Sequence, residues 1–387
     1  MAIITTEIVK KLLKEGKKVS EIARQFNVSR QAVYRHINKI KKKEKGSNLG
    51  IFKPKKNYNS MIDWKIYNEG LVKRGEILLD FDLFKDWHEE LAKMNEGKAG
   101  RPYKYPESFI QFLMRLKFIF KIDYRSLEGV ARKLVSFIPH CTKAPDYSTL
   151  QVRFSKMKCN LEVYQKEGEQ EIAVDATGLK TSNRGEYRMN AYRGKRKKFI
   201  KLHIAVNIKT RQVVGCSVTP EDVRDHEELL NIVSQAQKYG KATKIFLDPA
   251  YDTNDIHMQL KENGIKPVIK PRETMELRRV NQVIEEENKR IKMIKDKNKK
   301  KEIQKRLIRL NTLKEYLEDR QKWKKENEYG ERWKAEGRYS VFKRIFGEHV
   351  LSKKIRNMHN EAILKVNLMN LFTYLTIRAM VSDGNVT

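Results

Sequence analysis

The apolar positions change period along the chain, and each change marks a predicted element. Ile8 to Leu13, Val19 to Phe26 and Arg30 to Ile37 carry apolar residues at helical spacing. The dipeptide Asn27-Val28 separates the second and third segments, and Ser29 stands where a helix N-cap belongs. The pattern predicts a three-helix unit over residues 1–45 with a helix-turn-helix at its end. Ala32, Val33 and Ile37 fall on its inner face; Arg30, Gln31, Tyr34 and Arg35 fall outside as candidate DNA contacts. A protein-binding bundle is the alternative. Residues 46–60, with Lys53-Pro-Lys-Lys, read as a basic linker.

Residues 61–165 again read as helices. Pro106 opens one at its first helical position, with Phe109, Phe112, Leu113, Leu116 and Phe120 as the apolar face. Tyr124 to Leu134 and Ser148 to Lys158 come next, the last capped by Asp146 or Ser148, with Gln151, Arg153 and Lys156 outward. This region is either a second DNA-binding bundle or a scaffold for the domain C-terminal to it.

From Glu169 the period falls to two. Glu171 to Asp175, Phe199 to Asn207, Gln212 to Thr219, Ala242 to Leu247 and Ile265 to Lys270 read as strands. The second and third are expected antiparallel to the first, and the fifth parallel to the fourth. Helices are expected at Asp225–Tyr239 and from the Asp252 cap to Asn263. Between Arg272 and Tyr329 there is no Gly or Pro. Apolar residues recur there at threes and fours from Val280 to Leu317, which predicts a helical insertion at about 272–328, as one long helix or a hairpin turning near Lys295 to Lys300. A structural arm, a DNA clamp and a dimer element are all open for it. A last helix, Asn360 to Met380, is expected to pack on the sheet. Residues 166–387 are thus an α/β domain of ribonuclease H type, a mixed five-stranded sheet with helices on its faces.

Charge directs this fold toward a partner. The chain has 82 Lys and Arg against 49 Asp and Glu, a net charge of +33, and such a field draws in polyanions. Double-stranded DNA is the expected partner. The apolar runs Phe109–Phe120 and Ala362–Ile377 are too short or broken by Lys365 and Asn367, so no membrane is expected. Three cysteines without a CxxC pair suit a reducing, cytoplasmic setting.

Three carboxylates then stand out. Asp175 and Asp248 each end a predicted strand. Glu336 lies in Tyr329 to Lys343, read as one helix. At about 100° per residue, Tyr329, Arg332, Glu336 and Lys343 share a stripe roughly 60° wide, opposite Ala335, Val341, Phe342, Ile345 and Phe346. Converging carboxylates repel one another unless cations lie between them. Mg²⁺, for which Mn²⁺ would substitute, is the expected ion because it is hard and keeps waters for substrate phosphates. Two ions roughly 4 Å apart would activate a water or 3′-hydroxyl and stabilise a leaving oxygen. His203 and His226 are expected to be structural.

Asp175 in Ala-Val-Asp-Ala-Thr-Gly, Asp248 in Leu-Asp-Pro-Ala-Tyr-Asp-Thr, and Tyr329-x2-Arg332-x3-Glu336-x6-Lys343 resemble the DDE transposases of prokaryotic insertion sequences. The Tyr-(2)-Arg-(3)-Glu-(6)-Lys spacing matches the signature of the insertion-sequence four and five groups at all four positions. Ser148-Thr-Leu and Gly100-Arg-Pro-Tyr-Lys-Tyr-Pro also resemble the segment before the catalytic domain in such enzymes. The resemblance implies that Asp175, Asp248 and Glu336 bind divalent metal. It also implies that Tyr329, Arg332 and Lys343 contact transposon-end DNA, and that a homodimer cuts two ends together. Two departures stand: the insertion is helical where some relatives have a β-rich one, and Asp252 competes with Asp248, with Asp252 better placed to cap. A metal-dependent nuclease or resolvase of the same fold, or a domesticated DNA-binding regulator, is the alternative. Gly337, directly after Glu336, should cost its helix about 1 kcal/mol, and a close approach of DNA or sheet backbone would explain it.

Overall fold

The computed structural model describes residues 5–17, 19–46, 63–79, 81–137, 143–181 and 199–381. The expected linker, Cys141 and the basic residues from Arg184 to Lys198 lie outside them. Two compact units form, residues 1–62 and 63–387.

In the first unit, α1 (Thr6–Lys14), α2 (Val19–Gln25) and α3 (Arg30–Gly46) enclose Val9, Leu12, Ile22, Ala23 and Val33. Asn27 takes the left-handed conformation (φ 50°) that the turn between α2 and α3 requires. Ser29 Oγ accepts from the Ala32 amide at 3.3 Å, satisfying one of the free donors at the start of α3.

The second unit begins with α4 (Trp64–Leu78), α5 (Trp87–Asn95), α6 (Glu107–Phe120), α7 (Tyr124–Val135) and α8 (Tyr147–Lys156). Phe109, Leu113, Phe118, Leu127, Leu150 and Phe154 make one core here. Pro106 is the residue before α6 and not its first helical residue. Phe120 is 60% exposed, because Lys121 turns left-handed (φ 55°) and carries the chain away. Asp123 and Asp146 are the caps of α7 and α8. Arg153 is turned inward: its guanidinium donates to Tyr105 O at 3.0 Å and lies 4.4 Å over the Tyr103 ring.

The sheet has the order β3-β2-β1-β4-β5. Its strands are β1 (Glu169–Lys180), β2 (Phe199–Asn207), β3 (Val213–Pro220), β4 (Lys241–Leu247) and β5 (Lys266–Ile269). β2 is antiparallel to both β1 and β3, so β3 runs in the direction of β1, with β2 between them, and is not the antiparallel neighbour of β1 that was expected; β4 and β5 run parallel to β1. Strand alternation sorts the side chains between two cores. Ile172, Val174 and Leu247 join α9 (Leu229–Ala236) and α10 (Asn254–Glu262) on one face. Ala173 and Phe246 join α14 (Trp333–Phe346) and α15 (Ile355–Val381) on the other. β1 is longer than its sequence suggests. Its pairing with β4 ends at Ala173–Phe246, but its pairing with β2 runs on to Lys180–Phe199. Lys180 is then tied to the chain after α14, with Val350 N donating to Lys180 O at 3.0 Å.

The insertion is a helical hairpin, α11 (Leu277–Met293) and α12 (Lys297–Glu318), followed by the short α13 (Arg320–Glu326). Val280, Val283, Leu310 and Leu313 form its seam, and Asp296 caps α12. The two ends of the insertion are tied down by ion pairs, Arg320 to Glu273 at 2.5 Å and Lys244 to Glu328 at 2.6 Å.

In α15, Lys365 and Asn367 interrupt the apolar run because both are buried and partnered. Lys365 pairs with Glu361 at 2.6 Å, and Glu361 accepts from the Leu351 and Ser352 amides. Asn367 accepts from Glu162 N at 3.0 Å. No helix among the described residues is long and apolar enough to cross a membrane.

Candidate active site

Asp175 occupies the point where β1 loses β4 as a neighbour, so it lies within a strand, not at the end of one. Carrying the Ala173–Phe246 register forward two residues sets Asp175 beside Asp248. Period-two alternation puts both on the face covered by α14. Asp248 follows β4 directly and caps the 3₁₀ turn Pro249–Tyr251, its Oδ1 accepting from Ala250 N at 2.6 Å. Asp175 Oδ1 accepts from Ala176 N at 2.9 Å.

Glu336 is in the first turn of α14 and its side chain is 52% exposed. It forms an ion pair with Arg332, one turn back. Tyr329 OH donates to Leu247 O at 3.3 Å, which fixes the phenol at the residue before Asp248. Its ring lies against Trp323 (centroids 5.7 Å apart), and the Arg332 guanidinium stands 6.0 Å from it. The expected single helix from Tyr329 to Lys343 is therefore divided. Tyr329–Arg332 is a 3₁₀ turn and α14 starts at Trp333. Glu328, directly before this turn, adopts a left-handed conformation (φ 54°), and its carboxylate is held by Lys244 on β4.

One field joins these groups. Burial pushes the Asp175 carboxyl up to about 6; Asp248 and Glu336 push the same way, while the Ala176 amide and Arg332 oppose. Burial likewise raises the Tyr329 phenol to about 12. Lys343 is two turns beyond Glu336 on α14 and partly buried. The structure thus gathers Asp175, Asp248, Glu336, Tyr329 and Arg332. Arg30, Gln31, Tyr34 and Arg35 lie in the other unit, exposed along α3.

Asp252 does not cap α10; Thr253 does, accepting from Ile256 N at 3.3 Å. Asp252 is buried and saturated instead. Arg309 of α12 grips it through two bonds of 2.9 and 2.8 Å, His257 Nε2 lies at 3.1 Å, and Arg272 N donates at 2.9 Å. Burial acts to raise this carboxyl, but the bonds to His257, Arg309 and Arg272 prevail and hold it at about 2. Arg272 also donates to Pro249 O and Ala250 O at 2.6 and 2.9 Å. The turn that carries Asp248 is therefore held by two arginines that sequence reasoning did not single out. Tyr339 was also missed. Its hydroxyl donates to the main-chain oxygens of Asp175 and Leu202 and holds α14 against β1 and β2. Its place in the inward stripe of α14 was the available signal. His203 is buried with Nε2 2.8 Å from Thr219 Oγ1, and burial pushes its pKa down, as suits a structural residue.

The donors at the strand ends are all oxygen, which suits a hard divalent cation in kind. Among the described residues no three His, Cys, Asp or Glu side chains are gathered tightly enough to hold a metal ion as they stand.

The model of the family described as "Transposase DDE domain" matches residues 166–371, more than half of the chain, and a second model of that description matches residues 72–184. The "Helix-turn-helix domain of resolvase" matches residues 5–39. Among solved structures, the chain is similar to one in the simian T-cell lymphotropic virus intasome bound to PP2A regulatory subunit B56 gamma. Identity there is 12%, coverage 51% of this chain and 64% of that one, and the TM-score 0.21. It is also similar to piggyBac transposase in a synaptic complex with hairpin DNA, at 10% identity, 81% and 79% coverage, TM-score 0.35. A third is the Drosophila P element transposase strand transfer complex, at 11% identity, 77% and 86% coverage, TM-score 0.27. The family match, over more than half of the chain, carries the assignment by itself: the chain belongs to the DDE transposase domain family.

Proposed function

We propose that the chain is a DNA transposase of the insertion-sequence four and five groups, one that binds terminal inverted repeats, cleaves at the transposon ends and joins the freed 3′-hydroxyl to target DNA. The reading is supported by the β1–β4 pairing, which ends at Ala173–Phe246, two residues before Asp175 and Asp248, and by the charges of Asp248, Glu336 and Arg332 acting on Asp175. Asp175, Asp248 and Glu336 would hold Mg²⁺, or Mn²⁺ in its place. When bound, two such ions supply an activated oxygen nucleophile and a stabilised leaving oxygen. The chain's own part is positioning. Tyr339 fixes the main chain of Asp175, Arg272 fixes the Asp248 turn, and Arg332 moves from Glu336 to a phosphate near the cut. Tyr329 and Lys343 flank the same path as DNA contacts. Arg30, Gln31, Tyr34 and Arg35 are assigned to end recognition through the major groove. A homodimer follows from cutting two ends together, in the cytoplasm of a prokaryote at the nucleoid.

The test is incubation of the full chain with DNA flanking its own gene, Mg²⁺ and a target plasmid, followed by mapping of the ends. Nicks at the element boundaries and joined products are expected. Asp175→Asn, Asp248→Asn and Glu336→Gln should each abolish cleavage while leaving end binding intact. Cleavage without joining would favour a nuclease, and retained cleavage in any one variant would remove that residue from the set.

A further inference from the structure

Arg338 and Arg74 converge on one turn of α15, within the field of Arg211 and Arg344. Arg338 is two residues past Glu336 and so about 200° round the helix. Its Nη2 donates to Thr373 Oγ1 of α15 at 2.6 Å, and its Nε is buried with no hydrogen-bond partner among the described residues. Arg74 of α4 approaches the same turn of α15, donating to Phe372 O at 3.2 and 3.0 Å and to Thr376 Oγ1 at 3.0 Å. Arg211, in the turn between β2 and β3, holds its guanidinium 5.8 Å from the ring of Trp333, which is 52% exposed. Arg344 is exposed on α14.

The four feel one another. Burial, and after it the charges of Arg211 and Arg74, lower the Arg338 pKa to about 10. Burial lowers that of Arg74, against Tyr67 and with Arg344. Like charges gathered this way repel, and in a folded chain they point to an anion that neutralises them. The guanidinium fork suits phosphate, and three of these arginines are already oriented, by carbonyl, hydroxyl or ring contacts.

We propose that Arg74, Arg211, Arg338 and Arg344 form a phosphate-binding patch that holds the backbone of duplex DNA, apart from the carboxylate site. The choice of DNA rests on the function proposed above; the patch itself rests on the arginines.

Arg211 and Arg344 are the exposed members, so the Arg211→Ala/Arg344→Ala double variant tests the patch with least risk to folding. Affinity of the full chain for a random-sequence 30-base-pair duplex is measured by anisotropy across a salt series. The slope of log K against log salt should become shallower by about two, with weaker binding at every salt concentration. A control variant, Lys238→Ala/Lys261→Ala, removes the same charge from the face of the sheet that carries α9 and α10. An equal change in that control overturns a local patch, as does an unchanged slope in the arginine variant. A further arm reads protection from thermal unfolding by inorganic phosphate. Protection that is lost in the arginine variant while its DNA slope stays at the wild-type value assigns the patch to small anions and overturns the DNA proposal. Cleavage is not read, so failure of the proposed transposase activity leaves this result standing.

Discussion

The helical hairpin and α14 both deliver a charged side chain to the loops at the strand ends, and they do so to opposite effect. Arg309 of α12 reaches Asp252 and spends its donors on it; Asp252 is 4% exposed and every contact around it is made. Glu336 of α14 is half exposed and engages one partner, on its own side of the fold. The first arrangement is complete within the protein. The second is open to something that comes from outside. Saturation therefore separates the two aspartates of one short motif: Asp252 belongs to the architecture and Asp248 is left available. Asp175 sharpens the contrast, since its carboxyl is pushed up to about 6 where that of Asp252 is held down at about 2.

The largest effect expected comes from breaking the closed arrangement. Arg309→Ala leaves a buried carboxylate without its main partner, which costs about 3–5 kcal/mol. Denaturant unfolding of the full chain should show this loss, whereas Asp175→Asn should make the metal-free fold more stable at neutral pH, since burial disfavours the Asp175 charge. Equal stability in Arg309→Ala would mean that Asp252 is not the structural member of the pair.

Acid gives the next effect. Asp252 has a folded-state pKa below its unfolded value near 4, so its contribution is present above about pH 4 and is lost as pH falls toward 2. The size is on the order of 2 kcal/mol. A stability profile between pH 5 and 2 should fall in wild type and lose most of that slope in Asp252→Asn. A wild-type profile that stays flat would remove the linkage.

Much of this was legible in the chain. All five strands follow from period-two runs, and the three carboxylates from those runs and from the Tyr329–Lys343 spacing; the direction of β3 does not, because it pairs with β2 and not with β1. What was not legible was mostly non-local. Asp252 resembled a cap because its partner lies 57 residues away in an insertion. Arg153 read as outward because helical spacing cannot register a guanidinium laid over Tyr103. The left-handed turn at Glu328 was hidden because no glycine marks it.

The smallest effect concerns Gly337. A Cβ there would meet the Trp333 ring at 3.5 Å, an ordinary contact, and no backbone of the sheet approaches it. That removes one of the two explanations for a glycine in α14 and leaves an approach by DNA. Gly337→Ala should raise folding stability by up to about 1 kcal/mol while weakening binding of end DNA. Undiminished end binding would leave the glycine unexplained.

The ion pair Arg320–Glu273 joins the two ends of the insertion to each other, and Lys244–Glu328 ties its end to β4. A segment pinned at both ends can change length at small entropic cost, about 0.6 kcal/mol per doubling for a flexible loop. The hairpin is in that sense an exchangeable module, open to replacement by a graft of another length or fold. Its one fixed obligation is an arginine at the place of Arg309, because any substitute lacking it inherits a buried, uncompensated Asp252.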